Sequence, residues 1–135
     1  RDPQQILASY SQVISHPTMR DIGLAYQLSL FEQLRLEGHQ PVVIDSRELL
    51  LDPPKILAEV CNRCGLPFDQ RMVHWPSGPK PYDGVWASHW YGNVHQSTGF
   101  ERPAGSSRTL PGHLQTLHAE ARTCYEKLAA FSLKA

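Results

Sequence analysis

No run of apolar residues in this sequence approaches the roughly 20 needed to cross a bilayer, and no stretch has the order of a secretion signal. The chain is therefore expected to be soluble, with no membrane span. Charge of one sign is missing too. Thirteen Lys and Arg stand against thirteen Asp and Glu, which leaves no long-range field of the kind that gathers nucleic-acid phosphates and argues against a nucleic-acid partner. Cysteine is scarce and odd in number, at Cys61, Cys64 and Cys124. Reduced thiols, and with them a cytoplasmic setting, are the simpler reading than a disulfide scaffold. Cys61-x-x-Cys64 lacks the second Cys or His pair that zinc needs, and it falls at the end of a helical pattern, not at the start where redox pairs sit. Core packing is the reading for both thiols. His113 and His118 are five apart and do not share a helix face well, so no metal site is expected. The first residue is Arg1 and not methionine, which marks a cut product or fragment.

What is present is a globular balance. With 41% hydrophobic and 19% charged residues over 135 positions, the chain has the makings of one domain or part of one. Asp2-Pro3 reads as an N-cap and first helical residue, and Ile6, Leu7, Tyr10, Val13 and Ile14 recur at helical spacing until His16-Pro17 breaks the pattern. Thr18 with Asp21 starts a second helix, whose stripe of Leu24, Leu28, Phe31 and Leu34 ends before Gly38. Val42, Val43 and Ile44 form a short β-branched run without polar alternation, which predicts a strand buried on both faces of a parallel sheet. Asp52-Pro53 opens a further helix with Ile56, Leu57, Val60, Cys61 and Cys64 on one face, stopped by Gly65 and Pro67.

Residues 76–103 are dense in Pro, Gly, Ser, His and Trp without a period. They predict a long ordered loop with at most a short helix near 87–91. Leu110, Leu114, Leu117, Ala121, Cys124, Leu128 and Phe131 trace a last amphipathic helix after a flexible connection at 103–107. A lone strand cannot satisfy its backbone groups. Either the chain is the second half of a larger α/β domain, or residues 42–45 are only an extended segment against a small helical domain.

Arg1 before a helix start, with Ser9 one and a half turns into that helix, sets a guanidinium and a hydroxyl near the positive end of a helix dipole. With free backbone N–H groups there, a phosphate is suited to the place. The same residues also fit a plain capped helix with a solvated arginine.

Arg1-Asp2-Pro3 followed by Ile6-Leu7-Ala8-Ser9-Tyr10 resembles the segment of sulfotransferases in which an Arg-Asn-Pro or Arg-Asp-Pro turn and a helical serine hold the 3′-phosphate of 3′-phosphoadenosine 5′-phosphosulfate. Val42-Val43-Ile44-Asp45, Glu48-Leu49-Leu50, Asp52-Pro53, Leu57, Cys61 and Gly65-Leu66-Pro67-Phe68 are similar to that family's late strand and following helix, in the same order. The stretch Trp75-Pro76, Gly78-Pro79-Lys80-Pro81, Asp83-Gly84-Val85-Trp86-Ala87, His89-Trp90-Tyr91, His95 and Ser97-Thr98-Gly99-Phe100 is similar to a less-studied subgroup of sulfotransferase-like P-loop proteins, some joined to aminotransferase-like domains.

The resemblance implies an α/β, P-loop NTPase-like sulfotransferase fold, of which the chain is the C-terminal, mainly helical portion with one parallel-type strand. Residues 1–103 then belong to that domain, and 104–135 are a flexible connection and a C-terminal amphipathic helix. It implies a nucleotide-binding set of Arg1, Ser9, Lys80, Gly84 and Trp86. Lys80 stands for charge, Gly84 for backbone approach and Trp86 for stacking, although the family's usual Arg-Lys-Gly run is absent. The family's phosphate loop has no counterpart here, since the sequence holds no Gly-x-x-x-x-Gly-Lys-like run. An upstream segment of the same protein is expected to supply it, beside a small-molecule acceptor. His89 and His95 are the candidate general bases, since imidazole titrates near neutrality. The competing readings are a catalytically inactive binding or scaffold module that docks through the Trp/His loop, and a nucleoside-monophosphate-kinase relative that prefers ATP.

Overall fold

The computed structural model describes residues 1–102 and 109–135. Eight α-helices form among them: α1 (Pro3–Tyr10), α2 (Met19–Ile22), α3 (Leu24–Leu36), α4 (Ser46–Leu51), α5 (Pro53–Arg63), α6 (Ala87–Trp90), α7 (Gly92–Gln96) and α8 (Gln115–Ala129). Asp2 caps α1, its carboxylate accepting from the N–H groups of Gln4 and Gln5. The helix stops at Tyr10, and Val13 and Ile14 lie exposed beyond it. The apolar spacing continues there but buries nothing, so no packing offsets the entropy of further helix.

Thr18 and Asp21 interact as expected, the Asp21 carboxylate accepting from both the backbone N–H and the hydroxyl of Thr18. That start yields only one turn. Gly23, at φ 68°, is in the left-handed region that glycine adopts without penalty. It separates α2 from α3, where the sequence pattern predicts one helix. Leu24 and Phe31 of the predicted stripe are buried, and they join Leu7, Ala8, Ile22, Leu110, Ala121 and Leu128 in one core. α8 is packed between α1 and α3, so the last helix shares its core with the first.

The strand is where expectation and structure part. Among the described residues, the run at 42–45 makes a single parallel bridge, Val43 to Ser132, closed by a bond of 3.1 Å from the Leu133 N–H to the Val43 carbonyl. Val42 and Val43 are half-buried and Ile44 is exposed, so the run is not covered on both faces here. It leads into α4, a helix the apolar pattern does not announce, capped by the Asp45 carboxylate at 2.7 Å from the Arg47 N–H.

Asp52 caps α5 as predicted, and the Gly65 φ of 67° ends it. Cys61 is buried beside Met72, with the two sulfurs 3.9 Å apart, but Cys64 is exposed. The shared core face predicted for the two thiols therefore ends at Cys61, because Cys64 already caps the helix and turns away with it. The connection predicted at 103–107 falls outside the described residues.

Candidate functional site

Two clusters hold the residues singled out by sequence. The first is the head of α1. Arg1 is exposed, and its Nε donates to Gln5 Oε1 at 3.2 Å. A guanidinium carries five N–H donors, so most of the fork remains for an anion. Ser9 is also exposed, near the far end of the same helix. At about 1.5 Å of rise per residue it lies about 9 Å along the axis from Pro3, and no hydrogen bond joins it to Arg1. A group held by both must lie along the flank of α1.

The expected supply of free N–H groups is not there. Pro3 has none, those of Gln4 and Gln5 go to the Asp2 carboxylate, and that of Ile6 goes to the Asp2 carbonyl. The cap that makes the helix start also consumes its donors. The anion chemistry of this cluster therefore rests on side chains.

Behind the helix head stands Asp45, 6% exposed. Its Oδ2 is buried without a hydrogen-bond partner among the described residues and lies 3.6 Å from the Arg1 nitrogen. Burial raises the Asp45 carboxyl, but the Arg47 N–H, the Tyr125 hydroxyl and the Arg1 nitrogen outweigh it and hold the group below the usual carboxylate range. The Tyr125 phenol is pushed up to about 12, by its own burial first and by the Asp45 charge second.

The second cluster is the loop between Val73 and Phe100, which is tied across its neck. His74 and Gly99 form an antiparallel bridge, the Trp75 N–H donates to the Thr98 carbonyl at 3.1 Å, and the Trp75 indole N–H donates to Ser97 Oγ at 3.0 Å. Gly99 is required there, since a Cβ would come within 3.0 Å of the Val73 carbonyl oxygen. Trp75 and Phe100 meet edge to face.

Inside the neck, Asp83 Oδ2 lies 2.8 Å from His95 Nε2 and accepts from the Lys80 N–H at 2.7 Å. The Lys80 N–H first, then His95 after an opposing contribution from burial, hold the Asp83 carboxyl below its ordinary value. The carboxylate favours the His95 tautomer protonated on Nε2, which leaves Nδ1 as the basic nitrogen.

The loop candidates are placed unequally. The Lys80 ammonium folds back onto the carbonyls of Pro76 and Ser77. Gly84 is open, with nothing near the place of a Cβ and no left-handed φ. Trp86 is 67% exposed, as is its helical neighbour Trp90 at 64%. His89 is exposed on α6 and outside the Asp83 pair. Asp83, Asp45 and Tyr125 are the residues that sequence reasoning missed. Asp45 stands where a cap is expected before Ser46, but no spacing rule ties Asp83 to a histidine twelve positions on.

A groove of about 730 Å³ between α3 and the end of α8 is lined by Leu28, Phe31, Arg35, Lys127 and Phe131. It contains none of the predicted site residues and is mainly apolar. Among the described residues there is no group of acidic, His and Cys side chains fit for a metal, and no helix is long and apolar enough to cross a membrane.

Comparison with known proteins gives a match over residues 1–130 to the family described as "Sulfotransferase domain". Two proteins of Arabidopsis thaliana are also similar. Branched-chain-amino-acid aminotransferase-like protein 1 is 41% identical over 111 residues, and branched-chain-amino-acid aminotransferase-like protein 2 is 38% identical over 112. Each alignment covers 82% of this chain but only 20% of the relative, so the chain spans about a fifth of their length. No solved structure matches.

Proposed function

Because the chain belongs to the sulfotransferase domain family, we propose that it supplies the 3′-phosphate end of a donor site for 3′-phosphoadenosine 5′-phosphosulfate, in a protein that transfers the sulfuryl group to a small acceptor. The observation that carries this reading is Arg1. Its guanidinium stands exposed at the head of α1, with one of its nitrogens engaged by Gln5 and an exposed serine farther along the same helix. The donor set suits a phosphate, since an arginine fork takes two oxygens at once and a hydroxyl adds a third contact.

In sulfuryl transfer the acceptor oxygen forms a bond to sulfur as the bond to the nucleotide 5′-phosphate breaks, and the charge gathers on the leaving phosphate. Placement and positive charge do most of the work in such a reaction. The phosphate loop that meets the 5′ end comes, on this reading, from an upstream segment of the same protein in a P-loop α/β fold. Residues 1–103 complete that domain, and 104–135 add the connection and α8. Lys80, Gly84 and Trp86 close over the nucleotide. His95, oriented by Asp83, is a better-supported base than His89, which has no such partner.

The test is calorimetry of the full-length protein with adenosine 3′,5′-bisphosphate, the desulfated product. Arg1→Ala is expected to weaken binding by about 2 kcal/mol, the worth of hydrogen bonds to a charged group. Unchanged affinity sinks the assignment.

A second reading rests on a different observation. Tyr82, Val85, Trp86 and Trp90 are all more than 60% exposed, an apolar display of the kind that docks on another surface. In that reading the chain is a binding or scaffold module without donor chemistry. Absence of any affinity for the bisphosphate in the full-length protein would favour it.

A further inference from the structure

Asp45 presents a problem that its capping role does not solve. One oxygen, Oδ1, caps α4 through the Arg47 N–H, and an asparagine or serine would do that equally well without a buried charge. The other, Oδ2, is buried and lacks a hydrogen bond, which is costly for a carboxylate unless something is arranged around it. Two groups are. The Arg1 nitrogen lies 3.6 Å away at the head of α1, and the Tyr125 phenol comes from α8, its proton held more tightly in part by the Asp45 charge. A carboxylate at the junction of α1, α4 and α8 thus has its unused oxygen beside the backbone of the residue whose side chain meets the phosphate.

We propose that Asp45 is a positioning residue for Arg1: its Oδ2 takes the Arg1 N–H, with Tyr125 behind it, and fixes the backbone from which the guanidinium reaches the 3′-phosphate. A charge-assisted N–H to carboxylate bond is about 2.8 Å long, so a shift of under about 1 Å closes the contact when a phosphate engages the guanidinium. Orienting a fork before the ligand arrives saves the entropy of ordering it afterwards. The inference rests on the reading of Arg1 as the 3′-phosphate group, and its test separates the two.

The full-length protein is titrated with adenosine 3′,5′-bisphosphate and with adenosine 5′-monophosphate, which lacks the phosphate in question. Asp45→Asn keeps the cap acceptor but turns an N–H₂ donor toward the Arg1 N–H, and Tyr125→Phe removes only a hydroxyl. Each is expected to weaken the bisphosphate roughly tenfold, the loss of about one charge-assisted bond, and to leave the monophosphate within about twofold. Equal losses for both nucleotides would mean a merely structural role and overturn the proposal, as would no loss for either. If Asp45→Asn does not fold, Tyr125→Phe carries the test alone. Arg1→Ala is run beside them. If it weakens the bisphosphate while the other two variants do not, the reading of Arg1 stands and this inference falls. If it changes nothing, both fall.

Discussion

Asp2 caps α1 with the same carboxylate that a phosphate held by Arg1 must approach. The cap is needed, since it satisfies the N–H groups of Gln4 and Gln5 that would otherwise be orphaned. Its charge is not, because a neutral asparagine caps a helix as well as an aspartate does. Asp2→Asn is therefore expected to keep the helix and to tighten binding of adenosine 3′,5′-bisphosphate. The gain at low salt is about 0.5 kcal/mol, roughly twofold, the size of a surface charge repulsion removed. Titration at two salt concentrations checks it. Affinity that stays the same or falls would place the phosphate away from the helix head. The sign is opposite to that for Arg1→Ala, so the pair of variants tests the location of the anion and not just the importance of the segment.

Among the elements, the loop of residues 74–99 is the one whose order depends on a titratable tie. Asp83 has its carboxyl held below the ordinary value, by the Lys80 N–H first and His95 after it. A depressed carboxyl favours the folded form while it is ionised. Its contribution is present above the unfolded value near 4 and is lost as pH falls through the lower folded value. Acidification below about pH 4 is expected to loosen the neck, seen as a change in the environment of Trp75 and faster amide exchange across 75–98. Asp69 and Asp45 titrate in acid too, so Asp83→Asn is the control: it should show the loosened loop already at neutral pH and lose this part of the acid response. An acid response identical in the variant and the native chain would remove Asp83 from the account.

The same scale shows what was legible in the sequence. Caps at Asp2 and Asp52, the turn at Gly65 and the core face of α3 follow from local rules and appear as read. The split at Gly23 is a backbone choice that the apolar stripe runs across without a mark. The Asp83–His95 pair is a product of the loop's path, which no period encodes. Arg1 and Ser9 were legible by motif, but the loss of their expected helix donors was not, because the motif does not say that Asp2 consumes them.

At the scale of the whole molecule the run at 42–45 decides between the two readings of the chain's architecture. A parallel bridge at Val43 uses the backbone groups of that residue on one edge, and in an extended chain those of Val42 and Ile44 point to the opposite edge. Among the described residues nothing bonds them there. If these residues are an extended segment on a small helical domain, water serves those groups and their amides exchange freely in every context. If they are a strand of a P-loop α/β sheet, a neighbouring strand from the rest of the protein covers them. Hydrogen exchange of the 135-residue chain and of the full-length protein under the same conditions separates the cases. The amides of Val42 and Ile44 are expected to exchange fast in the isolated chain and to be protected on the order of a hundredfold or more in the full-length protein, as core sheet amides are. Protection that does not differ between the two would argue that no strand pairs at that edge, and the sheet proposed for this domain would have to be built without residues 42–45.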